Sequence, residues 1–559
     1  MRKIPFILLL IASSIFTACG QTPSNLIPGF VPHKGISTPM HQAHVGRIVF
    51  MSNTRPLKDC SESDFLSSFE INESCDLNFT VFMGNSLTNY LHELDTTLTA
   101  EELIQKGNFQ FSFIVDDSLL YTENLNLGAG LPAQKNENTI LRKPFLSSTN
   151  IDSWGRFLWM RFYYRNGGEA ALETGIHTLK IEIRPYLKNG EIIVGDIIAE
   201  GEINLKMAEL DKVSEEQIAI QPIKENSGWE LSKNGFDEEK IRGLNEKIAQ
   251  NRFKNITSVV VIKNGKLLIE EYFNGASRNT LHDTRSVGKS FASTLTGIAI
   301  EEGHLKNTDQ TLSEFYDLTQ FANYSTKKDS VTLQSLLTMS SGFDGSDNKF
   351  NSPGSEDEMQ LTDNWVKFTL DLSMDNTRKV GEVWDYFTAG VLVLGDIIDK
   401  SVPGGLEKYA DEKLFQPLDI SNYKWFYTPQ NVPYTGGGLE MNSLDFAKYG
   451  QLYKNKGVWN GRHILSSDWA TKTMTNYFEG KPNQTAYGYL FWNQEFSVGD
   501  KKYEAFLCSG NGGNKIIVFK DQPLVVVITA TAYGQPYGHS QVDQMLENFI
   551  LPAVIKEPN

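Results

Sequence analysis

The chain has little cysteine, four residues in 559. That excludes a scaffold held together by disulfides, and the spacing of the four offers no zinc signature. Positive charge is also short. There are 52 Lys and Arg against 68 Asp and Glu, a formal net charge of −16, which is the wrong sign for general nucleic-acid binding. A phosphate-binding loop is missing too. The "GKS" at 288–290 has Asp283 where the tight turn needs Gly, and a carboxylate there would repel phosphate. There is no Gly-x-Ser-x-Gly elbow, so His282, the histidine nearest a candidate serine, is expected to be structural rather than part of a Ser-His-Asp triad. Nothing calls for a metal or a cofactor.

What is present is the composition of a folded chain, 40% hydrophobic with 21% charged residues of mixed sign, long enough for two domains. It begins "MRKIPFILLLIASSIFTACGQ": two cations, an apolar run of roughly a dozen residues and then small ones, an export signal too short to span a membrane. The end of this segment, Phe16-Thr17-Ala18-Cys19, resembles the lipobox of bacterial lipoproteins. The resemblance implies a signal peptide over 1–19, lipidation at Cys19 and attachment to a membrane through acyl chains. Gly20, where Asp would favour the inner membrane, points to the outer membrane of a bacterial envelope. Cys60 and Cys75 lie close together in an exported chain, and both a disulfide and two separate thiols stay open.

Residues 20–40, rich in Pro, Gly, Ser and Thr, read as a tether. From 41 to 210 the signals are for strands, such as the alternating "FQFSFIV" at 109–115 and "HTLKIEI" at 177–183, and the simplest architecture is a β-sandwich. No chemical constellation occurs in it. Trp154 and Trp159 could offer a platform to a glycan or another envelope polymer, although aromatics in strands are more often core. A hydrophilic linker over 211–235 leads to a second domain, 236–559. This opens with two strand-like runs around Asn264-Gly265, a hairpin signal, and closes with the apolar runs "KIIVFK" and "LVVVITA". Strands that bracket a helical middle predict one antiparallel sheet assembled from both ends, an α+β layout.

The stretch "TRSVGKSFASTLTGIAIEEG" at 284–303 places Ser286 at a helix start and Lys289 one turn later, on the same face. Phe291, Leu295, Ile298 and Ala299 form a buried stripe, and Gly303 suits the helix end. Serine needs a nearby base to act as a nucleophile, and burial can strip a lysine of its proton. The stretch resembles the nucleophile helix of the serine β-lactamase and penicillin-binding-protein superfamily, especially its class C β-lactamase, D-Ala-D-Ala carboxypeptidase and 6-aminohexanoate-dimer hydrolase branch. Further blocks follow in the family's order: "LLTMSSGF" at 336–343, "GEVWDYFTAGVLVLG" at 381–395, "GGGLEMNSLDFAKYG" at 436–450, "YGYLFW" at 487–492 and "CSGNGGNKIIVF" at 508–519.

The resemblance implies an antiparallel sheet flanked by helices, with a helical subdomain. It makes Ser286 the acylated nucleophile, Lys289 its base partner and Tyr386 the group that passes the proton to the leaving group. An oxyanion would be held by the N–H of Ser286 and one from the strand after the "SGNGG" turn. Thr388, Asn511, Gly512 and Gly513 would meet substrate. Three departures stand out. Thr388 replaces an Asn that orients substrate amide, and Lys379-Val380-Gly381 stands where Pro-Gly is usual. The last motif lacks the Lys of Lys-Thr-Gly and also the His found in some relatives, leaving Asn511 as the nearest polar candidate, with a turn-stabilising role equally open. Losing that cation argues against a carboxylate-bearing substrate. The expectation is therefore an exported lipoprotein serine hydrolase for a small-molecule or peptide amide or ester. The competing readings are a β-lactamase or D,D-carboxypeptidase and a non-catalytic binding lipoprotein of the envelope.

Overall fold

The structure is a computed structural model that describes residues 31–36, 38–52, 55–72, 75–148, 153–207, 209–210, 212–349, 351–478 and 486–555. Cys19, the signal segment and the first part of the tether lie outside them. The chain divides between Leu210 and Asp211 into two compact units.

The first unit is rich in sheet, as the alternation predicts. Its strands belong to one sheet, whose main path runs Ser118–Asn124, Gly107–Val115, Gly175–Asn189, Ala199–Met207, Arg47–Met51, Leu77–Phe82 and Ile140–Leu146. Where a sandwich would supply a second sheet, helices supply the cover: Leu87, Leu91, Leu103, Leu158 and Phe162 pack with Phe79, Phe111, Phe113 and Ile181 in one core. Trp154 and Trp159 lie on one of these helices, Trp154–Arg165. Trp159 is buried, and Trp154 packs on Phe79 and Phe111, so the pair forms no exposed glycan platform. Cys60 and Cys75 are separate thiols. Cys60 closes a short 3-10 turn with its Sγ 3.5 Å from the Pro56 carbonyl.

The second unit is built on six antiparallel strands: β1 (Ile256–Lys263), β2 (Lys266–Tyr272), β3 (Trp492–Val498), β4 (Lys501–Gly510), β5 (Asn514–Phe519) and β6 (Leu524–Ala530). Their order is β2-β1-β6-β5-β4-β3, so the first and last strands of the unit pair at the centre of one sheet. Asn264 and Gly265 have φ of 54° and 73°, the left-handed pair that a tight two-residue hairpin requires. Both faces are covered, which is why β1, β5 and β6 read as continuous apolar runs rather than alternating ones. Val259, Val261, Ile517 and Val526 face α1 (Glu238–Ala249) and the C-terminal helices. Val260, Ile262, Ile516 and Val527 face α2 (Val287–Glu301) and α4 (Ser443–Lys454), with α3 (Thr388–Ser401) beyond. Sandwiched this way, α2 is buried all round to Ala299, not only along its predicted stripe.

Where segment 219–221 meets α1 and β2, Glu271 is fully buried. It accepts from Gln221 N at 2.9 Å and Asn245 Nδ2 at 3.2 Å, and burial pushes its carboxyl up from 4.5 to about 7. The native state therefore keeps a proton between these values that the unfolded chain has released, and stability falls as pH rises through that window. Glu271→Gln keeps the shape of the side chain and removes the group that titrates. Thermal melts at pH 5 and pH 8 should show the variant removing a pH-dependent loss on the order of 3 kcal/mol. Equal pH slopes for variant and wild type would refute it.

Candidate active site

The helix α2 begins at Ser286, which serves as its N-cap with φ −60° and ψ −5°. The i, i+3 spacing brings Lys289 Nζ to 2.8 Å from Ser286 Oγ, and Nζ donates at 2.5 Å to the carbonyl of Gly436. Lys289 is 1% exposed, whereas Ser286 is only partly covered. The result is a buried amine whose hydroxyl partner opens towards solvent. Glycines make the approach of Gly436 possible. A Cβ at Gly288 would stand 3.3 Å from Gly437 Cα, and one at Gly437 would stand 3.0 Å from the Arg285 carbonyl carbon.

Tyr386 lies on the segment entering α3. Lys289 Nζ sits 5.2 Å from its ring centroid, so the contact is with the ring, and among the described residues its hydroxyl makes no hydrogen bond to Ser286 or Lys289. Trp492 stacks on Tyr386 at 5.7 Å, and Trp384 and Tyr487 complete an aromatic wall. The loop before Tyr386 is fastened from beneath. Arg378, 8% exposed, pairs with Asp375 at 2.6 Å and with Asp385 at 2.8 Å, and Asp385 also accepts from Ser346. Asp347 N donates to Tyr386 O at 2.8 Å, while its carboxylate accepts from Thr388 N and Glu356 N, both at 2.7 Å. Such charge-assisted bonds are stronger than neutral ones and hold the loop in one place.

The separate sequence blocks meet through backbone bonds. The carbonyls of Leu337, Met339 and Ser340 accept from Leu490 N, Asp385 N and Gly381 N at 2.8–2.9 Å. Four of the predicted substrate-facing residues fare differently. Thr388 is 0% exposed at the first turn of α3, its N–H spent on Asp347, so burial removes it from contact with substrate. Asn511 is exposed at the β4–β5 turn with its side-chain oxygen accepting from Gly534 N at 2.8 Å. Gly512 and Gly513 have φ of 91° and 93°, and a Cβ at Gly513 would meet Gly538 O at 2.4 Å; they shape the turn. Asn514 is a buried clamp, bonding Ala530 O and N, both at 2.9 Å.

His282 pairs with Met441 in a short three-stranded sheet and has Nδ1 3.3 Å from Thr257 Oγ1. Burial lowers it to about 4, so it is neutral at ordinary pH, and it makes no hydrogen bond to Ser286. Cys508 is a buried thiol pushed up to about 12 by desolvation, unsuited to nucleophilic work. Gly436, Asp347, Arg378 and Asp385 escaped the residue-by-residue reading. Gly436 acts through its backbone, and the charged three resemble ordinary loop polarity until folding gives them their partners.

The β-lactamase family model matches residues 246–547, and the chain belongs to that family, whose fold is shared by β-lactamases, esterases and amidases. A Bacillus subtilis chain named penicillin-binding protein PbpX is 24% identical over 283 residues, 47% of this chain and 68% of that one. Among solved structures, the octameric penicillin-binding protein homologue from Pyrococcus abyssi has 19% identity and a TM-score of 0.43, over 56% of this chain and 79% of that one. EstCE1, a hydrolase with promiscuous acyltransferase activity, has 14% identity and a TM-score of 0.44, over 55% and 98%.

Proposed function

We propose that the second unit is a serine hydrolase that cleaves an amide or ester bond through an acyl-enzyme on Ser286. The reading rests on one observation above the others, the 2.8 Å hydrogen bond between Lys289 Nζ and Ser286 Oγ. Lys289 in its neutral form takes the hydroxyl proton as Oγ attacks the acyl carbonyl. The proton passes, with Tyr386 as coupled partner, to the departing amine or alkoxide. The N–H of Ser286 and one from the strand after the β4–β5 turn hold the oxyanion, where Gly512 and Gly513 allow close approach. Water then attacks the ester carbonyl and returns the proton. Export through residues 1–19, lipidation of Cys19 and outer-membrane location belong to the same proposal, and so does the division into an accessory domain, a linker and a hydrolase domain.

The test is to incubate residues 21–559 with a chromogenic short-chain ester, a cephalosporin and a D-Ala-D-Ala peptide, following turnover and intact mass for wild type and Ser286→Ala. An acyl adduct on the wild type that is lost in the variant is the expected result, and the substrate that forms it ranks esterase or amidase against β-lactamase or carboxypeptidase. A folded wild type that neither turns over any of the three nor reacts with a fluorophosphonate at Ser286 would return the chain to the binding-lipoprotein reading.

A further inference from the structure

The loop that carries Tyr386 is held on both sides of that residue by one partner, Met339. The Met339 carbonyl accepts from Asp385 N at 2.9 Å, and Met339 Sδ accepts from Phe387 N at 3.3 Å. Asp385 and Phe387 are the two chain neighbours of Tyr386. Both contacts are buried, with Met339 3% and Phe387 4% exposed. The first bond needs only a backbone carbonyl, which any residue supplies. The second needs the thioether, a weak acceptor, and replacing it with a hydrocarbon would take the partner from a buried N–H.

The backbone at this position does not favour methionine. The short helix Leu333–Leu337 ends with Thr338 as its C-cap. Met339 N then donates to Leu336 O at 3.2 Å and Ser340 N to Ser335 O at 2.8 Å. These are the paired bonds of a Schellman motif, in which the residue past the cap is left-handed and usually Gly. Met339 has a φ of 55°. Among the described residues other than glycine, every positive φ falls on Asn or Asp except at Arg285, Met339, Lys456 and Leu490. Glycine would end the helix with less strain, so what methionine adds is its side chain. That side chain packs in the core of the unit and carries the sulfur that meets Phe387 N. Packing alone would be served equally by leucine, which has no acceptor.

We propose that Met339 is a positioning residue for the hydrolase reaction, whose carbonyl and thioether together fix Tyr386 beside Lys289. The proposal rests on Ser286 being the nucleophile and Tyr386 its partner in proton transfer. On the full chain, labelling of Ser286 by a fluorophosphonate is timed by intact mass for wild type, Met339→Leu, Met339→Asn, Tyr386→Phe and the double variant Met339→Leu with Tyr386→Phe. Urea unfolding checks that each is native. Asparagine places a carbonyl oxygen as many bonds from the backbone as the sulfur, and it tolerates the left-handed conformation. Met339→Leu is expected to slow labelling about 10-fold, less than the roughly 100-fold of a full ångström of displacement, and Met339→Asn to stay within about 2-fold of wild type. Core packing would give the reverse order. In the Tyr386→Phe background, Met339→Leu should add almost nothing, because both changes act through one group; this cycle decides alone where Met339→Asn does not fold. Folded Met339→Leu that labels at the wild-type rate, equal slowing in both backgrounds, or folded Met339→Asn slower than Met339→Leu would overturn the role of Met339 and leave the hydrolase intact. Tyr386→Phe that labels as fast as wild type would overturn it through Tyr386. A folded wild type that stays unlabelled at Ser286 would overturn the nucleophile and this proposal together.

Discussion

Lys289→Met is expected to slow acylation of Ser286 by about 10²- to 10⁴-fold, the range of general-base catalysis, while leaving the unit folded. Lys289 is the only group that hydrogen-bonds Ser286 Oγ among the described residues, so no neighbour stands ready to replace it. Methionine has a similar length and no proton to exchange. Removing a buried amine costs little when its place is filled by an apolar chain of similar length, and the loss is confined to the Gly436 carbonyl, which loses its donor. Lys289→Arg should be as slow, because a guanidinium stays protonated and cannot serve as a base. Fluorophosphonate labelling measures the rate, and urea unfolding checks that the variants are native. Labelling of folded Lys289→Met at the wild-type rate would remove Lys289 from the mechanism.

Gly510→Ala is expected to be nearly as damaging for a purely steric reason. Gly510 ends β4, and a Cβ there would stand 1.9 Å from Thr284 O and 3.2 Å from Ser286 N. The obstacle is backbone on both sides, so the strand and the nucleophile segment must separate by more than an ångström. A displacement of that size at a reacting group costs about 100-fold in rate, and overpacking adds about 1–3 kcal/mol of destabilisation. Gly235→Ala is the matched control, since a Cβ there meets nothing within 4 Å, and it should be silent. A Gly510→Ala chain that is labelled as fast as wild type would mean that the close approach does not position Ser286.

Much of the second unit was legible because its signals are local. The Ser286–Lys289 contact follows from helical spacing, the hairpin from Asn264-Gly265, and the central pairing of β1 with β6 from two apolar runs at opposite ends of the unit. The first unit was less legible. Alternation announced its strands, but the run "WGRFLWMRFYYR" became the helix Trp154–Arg165, because aromatics pack equally well on a helix laid over a sheet. Thr388 read as a substrate contact by its place in a motif, and lies buried because its N–H starts α3 and bonds to Asp347.

By itself, then, the sequence determined the family, the order of the motif blocks and the juxtaposition of Ser286 with Lys289, all carried by neighbours within a turn or by ordered similarity. Only the tertiary structure decided that the second partner of Lys289 is Gly436, 147 residues away, and that Arg378 and Asp385 fasten the loop of Tyr386. It also decided that Met339 meets the backbone on both sides of Tyr386. These contacts join segments distant along the chain, and their energies come from burial and close backbone approach, which no local pattern of residues encodes.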